Sequence, residues 1–257
     1  MQIIFILGIL ILLILFVFKP RKKANEVIPL PENYKELLND YIKFYQGLED
    51  DDKKKFEDRL QRFLSTVKIT GVNAELEDLD IMMIGAGAII HVFFIPDWEY
   101  INLREVLVYP GSFNREFDQH GMDRSISGMV GTGALQNVMI ISKWELRQGF
   151  IDSQSPRNTA IHEFVHLIDK MDGTMDGVPQ ILLQKKYIPR WQQLMNSETE
   201  RIKRGESDID FYATTNPAEF FAVVSEFFFE QPELCRANHP ELYAMLEKIF
   251  SGKEIQS

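Results

Sequence analysis

The repeat of apolar positions changes several times along the chain, and each change marks a new element. Ile3 to Phe18 is an unbroken apolar run, followed by Lys19, Arg21, Lys22 and Lys23 and then by Pro29 and Pro31. From Glu32 to Leu48, Leu37, Leu38, Tyr41, Ile42, Phe44 and Tyr45 recur at helical spacing. A second helix is expected from Asp51 to about Val67, with Phe56, Leu60, Phe63 and Leu64 as its apolar stripe. Residues 79–95 are apolar apart from Asp80; Gly85, Gly87 and His91 make a buried core helix the better reading than a second membrane span. Glu105 to Tyr109 reads as a short strand stopped by Pro110-Gly111. Ser125 to Val130 and Asn137 to Ser142 read as a strand pair joined through the glycine-rich stretch 128–133. Helices are expected at about 157–170, 179–204, 217–230 and 240–250. The pattern is mostly helical with a small sheet.

Composition bears mainly on location. In the 257-residue chain the formal net charge is -10, which argues against direct nucleic-acid binding, since phosphates demand a basic surface. Cys235 is the single cysteine, so no internal disulfide is possible. The first apolar run spans roughly 24–27 Å, enough for a membrane anchor with help from snorkelling lysines. A cleaved signal peptide would place its charges before the run and small residues at the cut site, and neither is present. The expected organisation is therefore a transmembrane anchor at 1–18, a basic, proline-containing linker at 19–31 and one domain at 32–257. The basic cluster then puts that domain on the cytoplasmic side of the inner membrane.

The chemistry sits in His162-Glu163-Phe164-Val165-His166. Residues four apart on an α-helix return to nearly one face, so both imidazoles can meet one zinc ion. Glu163 flanks that face, where a carboxylate can act as general base towards a water. Ile161, Phe164, Val165 and Ile168 repeat at i, i+3, i+4 and i+7, so the same register buries the opposite face. A catalytic zinc site wants a third protein ligand. Glu219, Glu226 and Asp169 all qualify on spacing, and Glu219 reads equally well as part of a helix cap behind Asn216 and Pro217. Residues 172–177 lack the acidic spacing and final glutamate of a calcium loop and read as a turn.

Several blocks, in order, resemble the Mlc titration factor A family of zinc peptidases: residues 105–110 with Phe113, the motif 162–169, Asp172-Gly173, 177–179, Tyr212-Ala213, Asn216-Pro217-Ala218-Glu219 and 225–229. The resemblance covers roughly residues 33–250. It implies an α+β, zincin-like fold similar to the catalytic domain of anthrax lethal factor. It implies zinc held by His162, His166 and Glu219, Glu163 as general base, and Tyr212 near the metal as an oxyanion donor. The substrate would be a peptide or protein, lying along an edge strand within Ser125–Ser142. The family also includes a member that acts by binding a transcriptional repressor of sugar uptake, so a regulatory binding role is the alternative expectation. The basic-flanked anchor departs from the soluble members of the family.

Overall fold

A computed structural model describes residues 28–120, 123–152 and 155–252. The anchor at 1–18 and most of the linker at 19–31 lie outside the described residues. Among the described residues no helix is long and apolar enough to cross a membrane.

The chain enters through α1 (Tyr34–Tyr41) and α2 (Lys43–Gln46). These replace the single helix expected over 32–48. Ile42 between them is extended at φ -108° and ψ 91°. The break keeps Leu38, Ile42 and Tyr45 all buried. Helix α3 (Asp50–Thr66) begins with three aspartates, which favour the positive end of its dipole, and buries Phe56, Leu60, Phe63 and Leu64. Strand β1 (Lys68–Gly71) follows. Its four residues, Lys-Ile-Thr-Gly, carry too little alternation to be read from sequence. Helix α4 (Asp78–Ile90) is the expected core helix, closed at its start by a capping box between Glu77 and Asp80 and buried from Met82 to Ile90.

Strands β2 (Glu105–Tyr109), β3 (Gly128–Val130) and β4 (Val138–Ser142) complete a sheet of order β1-β2-β4-β3. The first three positions in that order run parallel, and β3 closes the edge antiparallel to β4. The glycine-rich stretch therefore does join a hairpin. The strand expected over 125–130 is shorter, because Ile126 leaves it to bridge Phe113. Helix α5 (Lys143–Ile151), capped by Ser142 Oγ on Glu145 N, was not apparent in the sequence pattern.

Helix α6 (Thr159–Asp169) carries the histidine motif. The helix expected at 179–204 starts nine residues late, as α7 (Ile188–Lys203), with Pro189 in its first turn. Proline suits that turn because its missing N–H has no partner there anyway. A 3-10 turn at Phe211–Thr214 leads into α8 (Pro217–Glu230), and α9 (Pro232–Asn238) and α10 (Pro240–Phe250) end the described chain. The result is an α+β fold, mostly helical, with one four-stranded mixed sheet. One continuous core joins the apolar faces of α6 and α8 through Phe164, Val165, Phe220, Phe221 and Val224. That core sets the distance between the two helices and hence the site between them.

Candidate metal centre

Burial of Ile161, Phe164, Val165 and Ile168 turns the other face of α6 towards α8. His162 Nε2 and His166 Nε2 lie 3.1 Å apart. Glu219 Oε2 approaches them at 3.0 and 3.4 Å. Four ligands held at 2.0–2.1 Å around a tetrahedral ion stand roughly 3.3–3.4 Å from one another. The three observed separations are close to those edges.

The donor set also demands positive charge at its centre. Glu226 Oε1 lies 2.7 Å from His162 Nδ1, and its other oxygen accepts from Asn158 N at 2.6 Å. With the Nδ1 proton directed at Glu226, the Nε2 of His162 faces a second imidazole nitrogen and a carboxylate oxygen. Three electron-rich atoms then converge, and only a proton or a metal cation can hold them together. Burial opposes charge on His162, but the carboxylates of Glu226 and Glu219 outweigh it and hold its pKa well above the ordinary histidine value. Burial also opposes charge on Glu219, and hydrogen bonds from His162 and His166 overcome it, leaving this carboxyl well below the usual range. The residues present fit a metal ion.

Of the three carboxylates open on spacing, the fold brings Glu219 to the histidine nitrogens. Its cap reading holds as well, because Asn216 Oδ1 accepts from Glu219 N at 3.0 Å. The backbone of Glu219 is capped while its side chain reaches the histidines, so the two readings were never exclusive. Glu226 sits behind His162 rather than beside it. Asp169 is fully buried and accepts from Gly177 N at 2.8 Å, outside the converging group.

Glu163 is 4% exposed, and its Oε2 has no hydrogen-bond partner. Burial raises its pKa, and the nearby Glu219 and Glu226 carboxylates push the same way against the two histidines. A buried carboxylate with an orphaned oxygen beside a cluster that could hold a metal ion is equipped to take a proton. Tyr212 is 51% exposed, which removes the reading of it as a core aromatic. Its ring lies 6.1 Å from that of His162, and burial of the hydroxyl, with Glu219 and Glu163 nearby, pushes its pKa up to about 12. It therefore stays protonated and can donate. Its turn is fastened by Asp210, which accepts from Tyr212 N and pairs with Arg157 just ahead of α6. Glu163, His162 and Tyr212 share a cleft of about 1140 Å³ with Gly128 and Met129 of the edge strand β3.

Sequence reasoning did not single out Asn158. It is fully buried and caps α6 by accepting from Ile161 N. Its side chain also donates to Glu230 at 2.8 Å while its backbone N–H holds Glu226. An asparagine immediately ahead of an apolar-periodic run is a cap signal, so that part was legible. The link to Glu226, 68 residues away, was not.

Comparison with known proteins agrees with this centre. The chain is 32% identical over 241 residues to an uncharacterized protein of Synechocystis sp., covering 90% of this chain and 87% of that one. It is 31% identical over 207 residues to Mlc titration factor A of Pectobacterium atrosepticum, covering 74% and 71%. Against Mlc titration factor A of Cronobacter sakazakii it is 31% identical over 219 residues, covering 79% and 80%. Residues 18–251 match the family model of the glucose-regulated metallo-peptidase M90, and the chain belongs to that family.

Proposed function

We propose that this protein is a zinc-dependent peptidase with a zincin-like catalytic domain. The observation that carries the reading is the convergence of His162 Nε2, His166 Nε2 and Glu219 Oε2 beside the orphaned oxygen of Glu163. Zinc at that point would act as a Lewis acid, polarising a peptide carbonyl and lowering the pKa of a water towards about 7. His162, His166 and Glu219 would hold the ion. Glu163 accepts the proton of the attacking water and returns it to the departing amine. Tyr212 donates its hydroxyl hydrogen to the oxygen of the tetrahedral intermediate. Glu226 keeps His162 in the tautomer that leaves Nε2 free, and Asn158 holds Glu226. The outer edge of β3 offers backbone groups on which an extended peptide can add as a further strand.

Replacing Glu163 with Gln tests this directly. The variant is expected to keep its metal and lose turnover by at least about 100-fold. Wild-type rates in a metal-loaded Glu163→Gln variant would sink the reading.

A regulatory binding role is the second reading, favoured by the name of two of the relatives above, Mlc titration factor A. On that reading the chain binds a transcriptional repressor and the metal site is secondary. Full biological activity in the Glu163→Gln variant would favour it.

Residues 1–18 are proposed to anchor the domain to the inner membrane, facing the cytoplasm, with 19–31 as linker. Carbonate washing of membranes followed by protease protection tests this. Release by the wash, or protection of the domain in intact spheroplast-derived inside-out vesicles, would contradict it.

A further inference from the structure

The hairpin strand β3 lies against α6, and at Gly128 the side chain it meets is that of Glu163. A Cβ placed on Gly128 would lie 2.6 Å from both Cγ and Oε1 of Glu163 and 2.8 Å from its Cδ. The backbone of Gly128 has no positive φ, so any residue could adopt its conformation. What glycine supplies here is space for one particular side chain.

We infer that Gly128 is a positioning residue: the bare strand lets the Glu163 carboxylate lie against β3, at the depth where a peptide added to that strand would present its carbonyl. This rests on the peptidase reading of Glu163. Neither backbone can easily retreat. Strand β3 pairs with β4 at Gly128–Ile141, Met129–Ile140 and Val130–Met139. Beyond it, Lys170 Nζ, just past the end of α6, donates to Gly131 O at 2.7 Å and to Gln136 O at 3.3 Å. The hairpin is thus tied to the helix that bears Glu163, and α6 itself is held by the Asn158 cap and its buried face. The part that can yield is the Glu163 side chain. Ordinary carbon contacts need about 3.5 Å. A methyl group at 128 therefore pushes the carboxylate back by roughly 1 Å, a displacement able to cost about 100-fold in rate.

The test uses the full-length protein with Gly128→Ala. It is expected to bind metal and melt like wild type, with kcat lowered about 100-fold and KM within about threefold. A crystal structure of the variant should show the Glu163 carboxylate moved away from β3, a readout independent of activity. Gly111→Ala, where an added Cβ meets nothing within 4 Å, is the control. Wild-type kcat in Gly128→Ala, or an unmoved Glu163 carboxylate, overturns the inference. So does loss of folding or metal, because the strain would then be borne by the strand. If wild type cleaves no peptide the peptidase reading fails, while the position of Glu163 in the variant still decides whether Gly128 sets it.

Discussion

At the scale of single residues, His162 has both ring nitrogens committed, one towards Glu219 and His166 and the other to Glu226. Glu226 is 6% exposed and holds His162 with one oxygen and Asn158 N with the other. Its replacement by Gln keeps the shape but weakens the grip on the Nδ1 proton. Metal affinity is expected to fall about 10–100-fold, as for outer-shell partners elsewhere, measured by competition with a chromogenic chelator. Unchanged affinity would mean that the ring is oriented by packing alone. Glu219→Ala should lose far more, since it removes a member of the converging triad. Equal metal content in that variant would return Glu226 and Asp169 to contention.

At the scale of elements, helices α6 and α8, which carry the converging side chains, are joined by more than their apolar faces. Gly177, at φ +73°, donates its N–H to Asp169 at the end of α6 and accepts from the indole of Trp191 on α7 at 2.6 Å. A Cβ on it would fall 2.1 Å from Pro217 O, at the first turn of α8. Positive φ and backbone contact act together, so Gly177→Ala should destabilise by about 2–4 kcal/mol in denaturant unfolding. A loss below about 0.5 kcal/mol would show that this junction does not fix the helices.

A second junction makes stability depend on pH. His239, between α9 and α10, is 2% exposed and lies 2.9 Å from Glu198 of α7 and 2.6 Å from Asp208. Burial opposes its charge, but the two carboxylates outweigh this and raise its pKa above the ordinary histidine value. Burial likewise opposes charge on Glu198 and Asp208, and their hydrogen bonds to His239 lower both. The histidine contribution is therefore complete below its unfolded value of about 6.5 and fades as pH rises through the higher folded value. The carboxylate contributions are complete above their unfolded values near 4 and fade as pH falls through the lower folded ones. The junction should be strongest between about pH 4.5 and 6.5. Melting curves of wild type and His239→Gln should differ by about 5–10 °C at pH 6 and converge as pH rises. A gap that stays constant to pH 9 would refute the charged-histidine account.

At the scale of the whole molecule, an ion bridging α6 and α8 would couple metal binding to folding. Metal bound at 100 times its dissociation constant adds about 2.7 kcal/mol, which corresponds to roughly 5–10 °C in a chain of this size. Chelation should lower the melting temperature by that amount, and added zinc should restore it. Equal melting with and without chelator would rule out a bridging ion.

Much of this was readable from the chain alone, for a definite reason. Helical periodicity and the spacing of His162 and His166 are local, set by 3.6 residues per turn whatever the rest of the molecule does. Helices α8 and α10 accordingly lie where their patterns put them, and the core helix α4 begins where expected but ends at Ile90, five residues short of the apolar stretch. Short β1 and α5 were not readable, because four polar-leaning residues or nine weakly amphipathic ones leave little periodic signal.

The opposing carboxylates are a different kind of problem. Glu219 and Glu226 are seven apart on one helix, and both spacings are compatible with a site. Which of them meets Nε2 and which meets Nδ1 depends on how α8 is set against α6. That setting comes from the packing of Phe164, Phe220, Phe221 and their neighbours, contacts between segments more than fifty residues apart. The approach of Gly128 to Glu163 is likewise invisible until the hairpin is docked. The sequence by itself determined the chemistry on offer, since donors on one helix face follow from local geometry. Only the tertiary structure decided which donors converge, because that is a property of the distance and register between packed elements.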